Sequence, residues 1–141
     1  MIKLEKKHLA VIMEAGYVCI GMKRYKHARE LFEGLAVIEP QSEIPHVALG
    51  NVDFCEGKLR SAIKCYTQAL KVDANSSFAK VYLGEALFFD GKKDEALKLL
   101  TAVAKKDKGG AGEFAMALLD AIKKGFAPGK KNKGETGKRV S

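Results

Sequence analysis

The chain is defined first by what it lacks. It has no tryptophan, and no apolar run approaches the roughly 20 residues of a membrane span. Its opening stretch, "MIKLEKKHLAVIMEAGYVCIGMKRY", is charged and broken by Glu5 and Glu14. That pattern does not match the apolar stretch of a signal peptide and leads to an expected cytoplasmic location. Cysteine is scarce and odd in number, with Cys19, Cys55 and Cys65. Without a secretion signal this argues against a disulfide framework. Cys55 and Cys65 lie ten apart, which is no metal-ligand spacing, so all three are expected as buried free thiols.

Signs of chemistry are missing too. "GGAG" at 109–112 lacks the Lys-Ser/Thr of a phosphate loop and reads as a link between helices. His8, His27 and His46 fall in different helices or units, none within a turn of another His or Cys, so no metal site is expected. "KKDE", Lys92 to Glu95, reads as a solvated turn. No nucleophile, base and orienting group are suggested by spacing. Neither an enzyme nor a cofactor is expected.

What remains is an ordinary soluble composition, 47% apolar and 30% charged, in 141 residues, enough for one domain with a core. The formal charge of +8 is concentrated. Lys130, Lys131, Lys133, Lys138 and Arg139 against Glu135 place half of it in the last fifteen residues, 127–141. This segment is too polar to offset its ordering entropy and reads as a flexible basic tail.

The chain repeats itself. Gly16, Gly50 and Gly84 are spaced by 34, as are Ala28, Ala62 and Ala96. Phe32, Tyr66 and Leu100 keep the same step, and so do Leu35, Ala69 and Val103. Each unit holds two helical patterns, A and B, around a short polar break. Gly57 and Gly91 fit helix C-caps, with Lys23 in the equivalent slot. Pro40 cannot continue a helix, and Ser42 and Ser76 suit N-caps. The mid-helix glycines predict close A–B crossings, each facing the neighbourhood of its unit's alanine at 28, 62 or 96 and packing larger residues such as Leu49, Leu83 and Tyr66 more tightly. A further pattern over 112–126, with Phe114, Ala117, Leu118, Ala121 and Ile122 on one face, is expected to cap the open end.

These residues resemble the tetratricopeptide repeat, a 34-residue helix–turn–helix unit. The second unit is nearest the family pattern, with Leu49-Gly50, Gly57, Ala62, Tyr66 and Ala69-Leu70. The closing proline survives only as Pro40, Ala74 and Lys108 standing in the other units, and the family tryptophan is absent. The resemblance covers about residues 9–108. It implies an all-α, right-handed solenoid of three units, about 9–42, 43–76 and 77–108, with a capping helix at about 111–125. The solenoid domain is thus expected over 1–126.

In this architecture helices A line the concave face. The residues opposite the leucine-glycine contact are Met13, Tyr17 and Ile20, then Val47, Asn51 and Phe54, then Val81, Glu85 and Phe88, with Phe78 and Tyr82 near the lip. Packing between units stays an open alternative for Ile20, Val47 and Val81, whereas Tyr17, Phe54 and Phe88 are assigned to the groove. A continuous apolar strip there marks a partner site for an amphipathic helix or extended apolar segment. A carboxylate clamp of lysine, asparagine and arginine does not fit, because Met13, Tyr17, Phe78 and Tyr82 occupy or adjoin the slots, and only Asn51 is reminiscent. The run "ARELFEGLAVIEPQSEIPHVALGNVDFCEGKLRSAIKCYTQAL" is similar to the cytosolic chaperones that guard translocators in bacterial type III secretion, and the small three-repeat size is similar to the needle-subunit chaperones. That resemblance implies a client held in the groove until export. A general assembly scaffold is the first alternative. An RNA or other anionic partner bound by the tail is the second, and nucleic acid is the less favoured partner. Homo-oligomerisation is left open.

Overall fold

A computed structural model describes residues 5–128. Seven helices follow one another within them: α1 (Lys6–Gly21), α2 (Tyr25–Ile38), α3 (Ile44–Cys55), α4 (Leu59–Val72), α5 (Ser77–Phe89), α6 (Lys93–Lys106) and α7 (Gly110–Lys123). Each packs on its successor, and α5 also touches α3 and α7. Helices α1, α3 and α5 are the A helices of the three units, and α2, α4 and α6 are the B helices. The basic segment from residue 129 onward lies outside the described residues.

Local chemistry sets the hairpin turns. Lys23, Gly57 and Gly91 have φ of 62°, 83° and 88°, the left-handed region. Each turn then closes with the same two bonds. In the second unit Gly57 N–H donates to the Phe54 carbonyl at 3.0 Å and Lys58 N–H to that of Asp53 at 2.8 Å. The pairs Lys23–Ile20 with Arg24–Cys19, and Gly91–Phe88 with Lys92–Leu87, repeat the pattern. This is the Schellman motif, which satisfies carbonyls at a helix end. Lysine at position 23 tolerates the left-handed conformation at a cost of about 1 kcal/mol.

Ser76 Oγ caps α5 by accepting from Ala79 N at 3.2 Å. Ser42 does not cap α3. Its Oγ accepts from Ile44 N in a turn one residue early, and the helix follows Glu43 with Pro45 in its first turn.

The mid-helix glycines do permit close crossings, but the group they admit is not the alanine. A Cβ on Gly16 would overlap the ring of Phe32, and one on Gly50 the ring of Tyr66. One on Gly84 would stand 2.8 Å from Leu100 Cδ2. These three large side chains are almost completely buried, as are Ala28, Ala62 and Ala96. Burying such a side chain contributes about 1.5–3 kcal/mol, which exceeds the ~1 kcal/mol that glycine costs a helix.

The core is divided along the stack. Phe32, Leu35, Ala48 and Val52 join the first unit to the second. Tyr66, Ala69, Ala79 and Ala86 join the second to the third. Val81, Phe88, Leu100 and Val103 meet Ala111, Ala115 and Ile122 of α7. Helix α7 thus covers the last unit through a flank centred on 111, 115, 118 and 122. Ala117, expected on that flank, is exposed.

An ionic knot fastens the first two units. Arg29 on α2 donates to Asp53 Oδ1 on α3 at 2.9 Å and also reaches Glu56. Ser61 Oγ and Cys65 Sγ on α4 complete the shell of Asp53 at 2.6 and 3.5 Å. The expectation of buried thiols needs correction. Cys55 is exposed, and Cys19 and Cys65 are half-buried.

Candidate partner-binding groove

Helices α1, α3 and α5 present equivalent positions because the repeat places them 34 residues apart. Tyr17, Asn51 and Glu85 form one such column. Asn51 Nδ2 donates to Tyr17 Oη at 2.8 Å, and Tyr66 Oη donates to Asn51 Oδ1 at 2.6 Å. The ring of Tyr66 stacks on Tyr82 at 5.9 Å, and Tyr82 stacks in turn on Phe78 at 6.1 Å.

Tyr17 and Tyr82 also line a hollow of about 370 Å³, together with Glu43, Ile44, Val47, Ser76 and Phe78. Its rim is open and greasy: Tyr17 is 39% exposed, Phe78 48% and Ile44 50%. Exposed large apolar side chains drawn from all three units make a continuous surface of the kind that partners cover.

The sequence-selected residues separate into three groups. Tyr17, Val47, Phe78 and Tyr82 meet at the hollow, Val47 contributing only a sliver of surface. Asn51 and Glu85 belong to the half-buried column beside it. The others turn toward the seams. Met13 and Ile20 pack on the first core cluster, and Phe54 packs edge-on to Phe89 at 5.5 Å. Val81 and Phe88 are not groove residues. They are 0% and 4% exposed beneath α7, and Phe88 also meets Phe126. Ile44 and Glu43 line the hollow as well but lie outside the groove positions expected from the sequence. Ile44 had a usable signal, since it stands 34 residues before Phe78.

The electrostatics follow from burial. The Glu85 carboxyl is pushed up to about 7 by desolvation. Burial first, and then the Glu85 charge, raise the Tyr82 phenol and the Cys55 thiol. The same order of causes holds Tyr66 far above the usual phenol range. Burial also raises Tyr17, against the lowering effect of its bond from Asn51. The phenols are therefore neutral hydrogen-bonding groups at physiological pH. Among the described residues, no three His, Cys, Asp or Glu side chains gather closely enough to hold a metal ion. No described helix is long and apolar enough to cross a membrane.

The same fold occurs in solved structures. The Yersinia enterocolitica type III secretion translocator chaperone SycD matches with a TM-score of 0.72 at 18% identity, over 84% of this chain and 92% of that one. PcrH, a Pseudomonas aeruginosa protein, in complex with the chaperone binding region of PopD gives 0.68 at 18%, over 88% and 98%. The first TPR of Spaghetti (RPAP3), bound to the HSP90 peptide SRMEEVD, gives 0.70 at 18%, over 88% and 97%. No family model and no curated protein sequence matches the chain.

Proposed function

We propose that this chain, which has the tetratricopeptide-repeat fold, is a non-catalytic module whose groove holds an apolar or amphipathic segment of a client protein. We infer further that it works as a cytosolic chaperone of type III secretion, keeping an export substrate soluble. The observation that carries the reading is the hollow under Tyr17, Ile44 and Phe78, built jointly by three successive A helices. A client that covers it removes exposed apolar surface from water at about 25 cal/mol per Å². SycD, and PcrH with the PopD segment, support the chaperone reading through fold. The acidic peptide bound by the RPAP3 repeat is a poorer guide. Here the charged groups of the groove are Glu43 and Glu85, which repel such a peptide.

The test is retention of partners by the tagged chain and by a Tyr17→Ala/Phe78→Ala variant. One small export substrate is expected on the parent chain and lost from the variant, with far-UV circular dichroism unchanged. Equal retention by the well-folded variant overturns the groove assignment. Several large partners point to an assembly scaffold. Removing residues 129–141 is expected to leave client binding intact, whereas a steep loss with salt would point to an anionic partner.

A further inference from the structure

The polar column has unspent hydrogen-bonding capacity, and it is unequal along its length. Tyr66 spends its proton on Asn51 Oδ1, and Asn51 spends one N–H on Tyr17. Tyr17 keeps its own hydroxyl proton and Asn51 its second N–H. The third rung is different in kind. Glu85 is a carboxylate, half-buried, and it enters none of the ion pairs or side-chain hydrogen bonds among the described residues.

The titratable groups around it are the Cys55 thiol from α3, the Tyr66 phenol from α4 and the Tyr82 phenol from α5, with Tyr17 of α1 farther along the column. None is a cation. The hollow next to it, which shares Tyr82, is lined by no Lys, Arg or His, and its one charged lining residue is Glu43. A chain of formal charge +8 thus presents a groove whose charged groups are acidic. A desolvated charge without a partner is costly, and a charge-assisted hydrogen bond from an incoming cation relieves that cost.

We propose that Glu85 sets the specificity of the groove by taking the ammonium or guanidinium of one lysine or arginine embedded in the client's otherwise apolar segment. This rests on the groove reading above and names the feature by which the groove chooses among apolar segments. Apolar contacts supply contact area, whereas pairing at Glu85 fixes register and rejects segments that place an acid there.

The experiment pans phage-displayed random 12-residue peptides at pH 8 on the full chain and on Glu85→Gln, after confirming by circular dichroism that both fold. The parent chain is expected to enrich apolar peptides with one Lys or Arg at a fixed position. Glu85→Gln is expected to keep the apolar positions and lose the basic one. Replacing that Lys by norleucine in a selected peptide should weaken binding to the parent at least tenfold and leave binding to Glu85→Gln unchanged. With Glu85 half-ionised near pH 7, affinity of the parent for the Lys peptide should fall about tenfold from pH 8 to pH 6. The variant should show a flat profile. Apolar enrichment without a basic position, or the same basic position retained on Glu85→Gln, overturns the assignment and leaves the groove reading standing. If neither chain enriches any apolar peptide, the groove reading itself falls and this assignment with it.

Discussion

Gly50→Ala separates local propensity from tertiary packing. By propensity alone the change stabilises α3 by about 1 kcal/mol. In the fold the new methyl would overlap the ring of Tyr66, which is 1% exposed. The ring is also held by its stack on Tyr82 and its hydroxyl bond to Asn51. Overpacking a core contact costs about 1–3 kcal/mol, and losing that hydrogen bond costs about 1 kcal/mol. The balance is a net destabilisation of about 2 kcal/mol. At roughly 4 °C per kcal/mol for a domain of this size, the melting midpoint should drop by about 8 °C.

Two companion substitutions calibrate it. Gly34 sits inside α2 with nothing within 4 Å of its would-be Cβ, so Gly34→Ala should raise the midpoint by the propensity gain. Gly84 faces the movable end of Leu100, so Gly84→Ala should fall between the parent and Gly50→Ala. The assay is thermal unfolding followed at 222 nm. A Gly50→Ala midpoint at or above that of the parent refutes the close-crossing argument.

Other outcomes follow from the ionic knot, the thiols and Glu85. Arg29→Ala leaves Asp53, 10% exposed at its side chain, without its cation, and should lower stability by about 1–3 kcal/mol in urea unfolding. The figure is discounted because Arg29 itself is 27% exposed, and an unmoved midpoint would remove the knot from the account. In native protein at pH 8, maleimide should modify exposed Cys55 first and Cys65 last. The Cys65 thiol is pushed up to about 12 by burial and then by the Asp53 charge. Mass-resolved labelling that found Cys65 reacting first would contradict that environment. Burial raises Glu85 from 4.5 to about 7, so the folded chain holds a proton there that the unfolded chain has released. The associated stability is complete below about pH 4.5 and is lost as pH rises through 7. Relative to the parent, Glu85→Gln should therefore gain up to roughly 3 kcal/mol between pH 5 and pH 8. A pH-independent difference between the two chains would show that Glu85 is solvated.

Much of this architecture was legible because its causes are local or periodic. The 34-residue spacing of glycine, alanine and a large apolar residue announced three hairpins. Gly57 and Gly91 announced the turns, since a left-handed residue is needed there and glycine adopts it without strain. The partner of the mid-helix glycines was read less well. Sequence offered two candidates in each B helix, an alanine and a bulky residue four positions later. Only the crossing geometry shows that the bulky residue enters the notch. The site was legible in part for the same reason. Tyr17 was selected by its repeat position and Phe78 and Tyr82 by their place near the lip, and all three line the hollow; Ile44, 34 residues before Phe78, was not selected.

The sequence by itself determined the number of hairpins, their turns and which helix faces which within a unit. Each of these depends on residues a few turns apart. Tertiary structure alone decided which groove positions stay open. Met13, Val47 and Val81 occupy one repeat position, yet the first is half-buried, the second nearly closed and the third sealed. At the next such position Ile20 and Phe54 are both half-buried, whereas Phe88 is buried. Equivalent positions share a direction on their own helix. Their exposure depends on what the next helix lays over them, and α7 covers α5 with a flank that the repeat does not encode.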